Sequence, residues 1–411
     1  MGQPKNTMDP VKRHYEMFPY PERNPADEAR HLIVGSPSHP LEIDHFLFRG
    51  QRDWSAPFRA LVAGGGTGDA LIMLAQILRD AGCPADITYL DTSAASRAIA
   101  ESRAKARGLT GIRFITGDLL TATELGPFDY IDCCGVLHHL PEPQAGFAAL
   151  SAALDPAGGM GLMVYAPYGR TGVYPLQQAL RALLADDEPS QQLKLAKQIV
   201  GQLPATNWFT RNTFVGDHTA SDAGFYDLLL HSQDRPFDVT ALDGALAAAG
   251  LARVSFLQAE RYNPVRYLPK SADMDARLAR LDATGRAALA ERLAGDMKAH
   301  VVYAAKADRA AQAMAQPTAA AVPHLAGVAP GPLAQQIAQQ GGFNCDTGGV
   351  SYRVEIPKSA APIIAHLDGH MPLAAIAEAV RLDWLAFSTL FAPVHTHLTG
   401  FNLLRYSKSL R

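Results

Sequence analysis

Apolar residues recur along this chain with two alternating periods. Short apolar runs at 59–63, 86–90, 112–116, 130–134 and 160–165 have the form of strands buried on both faces of a parallel sheet. Helical patterns separate them, clearest at 69–80, Asp-Ala-Leu-Ile-Met-Leu-Ala-Gln-Ile-Leu-Arg-Asp. Strand and helix alternating in this way predict an α/β fold with a doubly wound, mostly parallel sheet. Two later runs, 251–257 behind an amphipathic helix at 238–249 and then 300–306, are expected to bring the sheet to seven strands.

The first strand breaks into glycines, Arg59-Ala-Leu-Val-Ala-Gly-Gly-Gly-Thr-Gly68, and Asp91 closes the second. Gly64, Gly66 and Gly68 let the backbone turn sharply and approach a ligand, while a carboxylate at 91 suits ribose hydroxyls. A spacing of roughly 20 residues from glycine loop to acid is common to dinucleotide dehydrogenases and methyltransferases. The glycine pattern narrows the choice. The third glycine of a dinucleotide fingerprint would have to stand at Asp69 or Leu71, and no Gly-Lys-Ser/Thr follows. What remains is Gly-x-Gly-x-Gly without a pyrophosphate cradle, which fits an adenosyl ligand carrying an amino acid.

Five stations then recur in order over about 59–165: the glycine loop; Asp91-Thr92-Ser93; Phe114-Ile-Thr-Gly-Asp118; Phe128-Asp-Tyr-Ile-Asp-Cys-Cys-Gly-Val-Leu-His-His-Leu140; and Leu154-Asp-Pro-Ala-Gly-Gly159. This stretch resembles the core of class I S-adenosylmethionine-dependent methyltransferases. The resemblance implies S-adenosylmethionine as cofactor, with Gly64, Gly66 and Gly68 along the methionine and ribose, Asp91 with Thr92 at the ribose, Asp118 at the adenine amino group and Leu119 on the ring. It also implies that the last two strands form an antiparallel pair. One departure stands out: where the family often has an acid two residues before the first glycine, this chain has Val62. The methionine amino group then needs another partner, either backbone carbonyls of the glycine loop or the N-terminal segment.

That segment, Tyr15-Glu-Met-Phe-Pro-Tyr-Pro-Glu-Arg-Asn-Pro25, is too rich in proline for a regular helix and is expected to act as a lid within residues 1–50. Tyr15, Phe18 or Tyr20 would cover the sulfonium with aromatic faces, or the segment merely plugs an edge of the domain. A similar Tyr-Glu and Pro-Tyr-Pro opens some bacterial methyltransferases of this type. The methyltransferase domain is expected over 51–308, with insertions at 167–236 and 258–298. Connections that long usually carry function, and the first is expected to roof the acceptor pocket.

Methyl transfer to nitrogen or oxygen can require removal of a proton. His218, oriented by Asp217 or Asp222, is the first candidate base, and His139 the second; both also admit a purely structural role. Histidines 138 and 139 without a third ligand in the sequence make no metal site, so none is expected. Cys133 and Cys134 read as small buried thiols, because the proline that precedes the nucleophilic cysteine of pyrimidine C5-methyltransferases is replaced by Asp132. The Asp/Asn-Pro-Pro-Tyr/Phe signature of many amine-methylating enzymes of nucleobases is also missing from 132–136.

Composition adds exclusions. Net charge is −3 over 411 residues, which gives no bulk attraction to nucleic acid, and the basic cluster Arg97, Arg103, Lys105 and Arg107 reads as a solvated helix face. No run of about 18 apolar residues offers a membrane span. Four cysteines and an N-terminus Met-Gly-Gln-Pro-Lys-Asn without an apolar signal core predict a cytoplasmic protein. An Ala/Pro/Gly/Gln-rich stretch at 309–342 reads as a linker with a short helix near 333–340, leading to a small α+β winged-helix-like module at 343–411. Its last helix is too apolar for a DNA reader, and His395 and His397 read as capping or solvent-facing. The expected function is methyl transfer from S-adenosylmethionine to an N or O nucleophile of an acceptor, protein or peptide. A small-metabolite acceptor and a catalytically inactive cofactor sensor stay open.

Overall fold

The computed structural model describes residues 9–408 and 410. The signal-core reading of Met1–Asn6 therefore lies outside the described residues. Seven strands form one sheet in the order β3-β2-β1-β4-β5-β7-β6: β1 Phe58–Ala63, β2 Ala85–Asp91, β3 Ile112–Thr116, β4 Phe128–Cys134, β5 Leu154–Tyr165, β6 Leu251–Phe256 and β7 Ala299–Lys306. The first five run parallel, and β7 lies antiparallel to both β5 and β6. The direction of winding reverses between β1 and β4, and ligands of open α/β sheets bind at the carboxyl ends of the strands beside such a reversal.

Alternation along β1 builds both cores. Ala60 and Val62 join Ile43, Leu71, Leu74, Tyr89, Tyr130 and Tyr303 on one face of the sheet. Leu61 and Ala63 join Phe147, Leu150, Leu242, Leu246 and Ala288 on the other. The first face is covered by α1 to α4 in part, namely α2 Pro40–Leu47, α3 Asp69–Asp80 and α4 Ala94–Ala106, while α1 spans Pro10–Met17. The glycine-rich station 154–159, read as preceding the strand at 160–165, is already part of β5, with Leu154 paired to Phe128.

Two expectations are corrected, and one insertion proves to have its own packing. The proline-rich N-terminus contains a regular helix after all, because Asp9 caps the backbone N–H groups of Val11 and Lys12 and Pro10 occupies the first helical position. The insertion 167–236 has a core of its own, in which Val173, Leu176 and Leu180 meet Phe225, Leu228 and Leu229. The stretch 309–342 is more than a linker. It contributes Ala315, Leu333, Ala334 and Ile337 to the C-terminal core, and its strand β8, Pro323–Leu325, pairs antiparallel with β11, Leu404–Tyr406. The C-terminal module also holds a hairpin, β9 Gly342–Thr347 with β10 Val350–Glu355, and the helices Leu373–Ala379 and Trp384–Gly400.

Polar seams dock this module onto the rest. Glu42 of α2 is fully buried and accepts from Arg405 at 2.6 Å, Asn402 at 2.7 Å and Tyr303 at 2.9 Å. A second seam joins Tyr352 of the module to Asp296 of the later insertion at 3.4 Å, beside the Arg261–Asp296 pair at 3.0 Å. No helix among the described residues is long and apolar enough to cross a membrane.

Candidate functional site

The glycine loop follows β1 with all three expected glycines left-handed, at φ +68° for Gly64, +51° for Gly66 and +100° for Gly68. A Cβ on Gly64 would lie 2.3 Å from Val136 Cγ2, and one on Gly66 would lie 3.0 Å from the Tyr20 carbonyl oxygen. Loop, β4 terminus and N-terminal segment thus meet at distances only glycine tolerates. Asp91 binds the loop directly. Its carboxylate accepts from Gly66 N at 2.8 Å and Ser93 N at 2.8 Å, and these bonds oppose the upward push that burial gives its pKa. Thr92 is half-buried beside it, Asp118 is exposed at the end of β3 and accepts from Leu120 N at 2.9 Å, and Leu119 is buried beneath.

Residues 10–31 lie across this loop and are fastened to it. Thr67 donates to the Pro21 carbonyl at 2.7 Å, Ser93 donates to the Tyr15 carbonyl at 3.1 Å, and Glu16 accepts from Ala94 N, at the start of α4, at 2.6 Å. A buried ion network anchors the far end: Arg103 bonds Glu28 at 2.6 Å and Asp69 at 2.7 Å, and Arg23 bonds Asp69 at 2.7 Å. Arg103, expected on a solvated face, is one of the most buried side chains of the molecule. Val62 is fully buried in the sheet core, so it presents nothing to a ligand.

The aromatic residues of the segment turn toward the first insertion. Phe18 stacks on Tyr226 at 4.8 Å, and the Tyr15 hydroxyl donates to Asp227 Oδ1 at 3.0 Å and lies 3.3 Å from His231 Nε2. Tyr165, at the end of β5, donates to Asp227 Oδ2 at 3.0 Å. Burial raises the Asp227 carboxyl and both phenols, since it penalises their charged forms. His139 stacks on His231 with centroids 3.7 Å apart, and its Nδ1 is 2.7 Å from the Gln233 carbonyl. A carbonyl only accepts, so Nδ1 carries a proton.

Two groups of side chains offer three ligand atoms within 4.8 Å of one another: His14, Asp227 and His231, and His138, His139 and Asp234. The expectation that His138 and His139 have no third ligand nearby is thereby corrected. In the first group the Asp227 oxygens are spent on Tyr15 and Tyr165, and His231 Nδ1 accepts from Gln233 N at 3.1 Å. In the second, Asp234 pairs with Arg170 at 3.2 Å, and His138 Nδ1 accepts from Tyr165 N at 3.3 Å. His138 Nε2 and Asp234 Oδ1 have no partner, so the second group is only partly satisfied by these bonds. His14, between them and Tyr226, has neither ring nitrogen paired, and burial, followed by the nearby His139, holds it neutral with its pKa pushed down to about 3.

Asp222 does not orient His218, and Asp217 acts on it through its charge alone. His218 is half-buried against Phe209, its Nδ1 has no partner, and burial lowers its pKa. Asp222 is exposed and pairs with Lys197. Cys133 and Cys134 have thiols that burial pushes well up, which fits their reading as inert. Asp227 and His231 are the residues that sequence reasoning left among the general polar content of the insertion. A cavity of about 640 Å³ lies elsewhere, between Arg49, Gln312, Met314 and Lys408.

The sheet order, the glycine loop at the β1/β4 reversal and the acids closing β2 and β3 define a class I S-adenosylmethionine-dependent methyltransferase fold. Residues 61–160 match the family described as a methyltransferase domain. Over 219 residues the chain is 32% identical to an uncharacterized protein of Synechococcus sp., an alignment covering 52% of each, so the match spans about half the length of that curated relative. Among solved structures it is similar to PKMT2 from Rickettsia typhi, with a TM-score of 0.60 and 11% identity over 91% of this chain and 76% of that one. The same protein in complex with AdoHcy gives a TM-score of 0.57 and 13% identity over 90% and 76%. Residues 61–160 are therefore similar to a methyltransferase domain, and the sheet around them has the fold of the Rickettsia protein.

Proposed function

We propose that this protein transfers a methyl group from S-adenosylmethionine to a nitrogen or oxygen of an acceptor, protein or peptide, bound beside Asp227. One observation carries the reading: the buried Asp227 carboxylate and its two tyrosines adjoin the glycine loop through the Tyr15 carbonyl and Ser93. When bound, the cofactor supplies an electrophilic methyl group on a positive sulfur. Gly64, Gly66 and Gly68 give its backbone cradle; Asp91 and Thr92 face the ribose, with Asp118 and Leu119 at the adenine. Tyr20 closes the loop from above through its carbonyl at Gly66. Residues 10–31 exclude water over the site and help align the reactants. His139 is retained as a candidate base; His218 and Asp222 are left as roof residues.

The test is release of S-adenosylhomocysteine from S-adenosylmethionine in a cell extract split by ultrafiltration. Release with the retentate, abolished by prior proteolysis, supports a polypeptide acceptor; release with the filtrate supports a small metabolite. A second reading, a cofactor sensor without turnover, draws on Val62 in place of the acid. It predicts tight cofactor binding by calorimetry and no release with either fraction.

A further inference from the structure

We infer that Tyr15, on the N-terminal helix, is part of the acceptor's proton path and not a cofactor-covering aromatic: its hydroxyl connects the acceptor site to Asp227. This rests on the methyl-transfer reading and deepens it. Three observations carry it.

The Tyr15 ring is spoken for. His14 stacks on it at 4.4 Å and 14°, so that face is closed to a sulfonium. The hydroxyl, by contrast, sits between two proton-handling groups, 3.0 Å from Asp227 Oδ1 and 3.3 Å from His231 Nε2. Because Gln233 N–H donates to His231 Nδ1, neutral His231 carries its proton on Nε2 and donates to the Tyr15 oxygen. The phenol therefore receives one hydrogen bond and gives one, always in the direction of Asp227. Tyr165 holds the other carboxylate oxygen, which fixes Asp227 in place for that transfer.

The position of Tyr15 is set by the cofactor loop. Its carbonyl accepts from Ser93, whose own N–H binds Asp91, and Glu16 next to it holds the first N–H groups of α4. Docking of the N-terminal helix and completion of the proton path are thus one event.

Finally, Asp227 has what a terminal proton acceptor needs. It is buried, its two hydrogen-bond partners are hydroxyls that stay protonated, and the nearby His139 and Arg170 only partly oppose the upward push of burial. In the step itself, the acceptor lone pair forms the bond to the methyl carbon while the carbon–sulfur pair returns to sulfur, leaving a neutral thioether. The proton lost by the acceptor passes to the second lone pair of the Tyr15 oxygen, the one not held by His231, as the Tyr15 proton moves to Asp227, and the carboxylic acid later returns it to water.

The experiment compares wild type, Tyr15→Phe, Asp227→Asn and the double variant in S-adenosylhomocysteine release with the active extract fraction, and in S-adenosylmethionine affinity by calorimetry. We expect Tyr15→Phe, which keeps the ring, to lower kcat about 100-fold, the lower end for a positioned proton-transfer group. Cofactor affinity should stay within about twofold, and the double variant should be no slower than the slower single, as residues acting as a unit behave. Unchanged kcat in Tyr15→Phe, losses that multiply in the double variant, or a parallel fall in cofactor affinity would each overturn the inference while leaving methyl transfer intact. A wild type that releases nothing overturns both.

Discussion

Arg405 of β11 meets Glu42 of α2 at 2.6 Å, an ion pair between the C-terminal module and a helix that packs beneath the catalytic sheet. Glu42 is wholly buried, and its other partners, Ser36, Tyr303 and Asn402, are neutral. Arg405→Met should therefore be costly, by about 3–5 kcal/mol, because it strands a charge inside the protein. Urea denaturation checks this. The double variant Glu42→Gln with Arg405→Met should be less destabilised than Arg405→Met alone, since no charge is then left unpaired.

The lid over the glycine loop depends on Arg103, which joins Glu28, Asp69 and the Thr67 carbonyl. Arg103→Ala should release residues 10–31 without melting the sheet. Limited proteolysis should cut that segment about 100-fold faster than in the parent, the effect of losing about 3 kcal/mol from a buried pair. Equal cutting rates would mean that the segment is held mainly by its other contacts.

Gly64→Ala puts a methyl group 2.3 Å from Val136 Cγ2 at a φ of +68°. The left-handed backbone alone costs roughly 1–2 kcal/mol for a residue with a Cβ, and the clash adds to it. S-adenosylhomocysteine affinity by calorimetry should fall at least about tenfold. Gly82→Ala is the matched control: it is also left-handed, but its Cβ meets nothing within 4 Å.

Asp132 lies inside the sheet, where it accepts from Ser38 at 2.5 Å and from the Cys134 thiol. Burial outweighs those bonds and pushes its carboxyl up to about 6. Unfolded, the group titrates near about 3.9, so the folded state holds the proton more tightly. Its contribution to stability is full below about pH 4 and is lost as pH rises through about 6, a change of about 3 kcal/mol. Asp132→Asn should accordingly match the parent near pH ~4 and exceed it by up to about 3 kcal/mol above pH ~7. Urea titrations at the two pH values decide it.

Sheet and glycine loop were legible because they are local: each strand is a continuous apolar run, and each bend has its glycine within a few residues. The N-terminal helix was obscured by Pro19, Pro21 and Pro25, although Asp9-Pro10 already gave its start. The stretch 309–342 was misread because alanines among prolines resemble a linker, while burial of Ala315 and pairing of Pro323–Leu325 depend on partners far along the chain. The cluster of Tyr15, His139, Tyr165, Asp227 and His231 was unreadable for the same reason. Four separate segments supply it, and no periodicity links them. His218 and Asp222 drew notice by sitting close together in sequence, yet one turns to Phe209 and the other to Lys197.

The clasp formed by Asn402, Arg405 and Ser407 on Glu42 and Asp44 joins parts of the chain made early and late in translation. While the polypeptide emerges from the ribosome, α2 can pack on the sheet only with its carboxylates still wet. Full desolvation of that helix needs β11 in place, so the two carboxylates couple closure of α2 to docking of the C-terminal module.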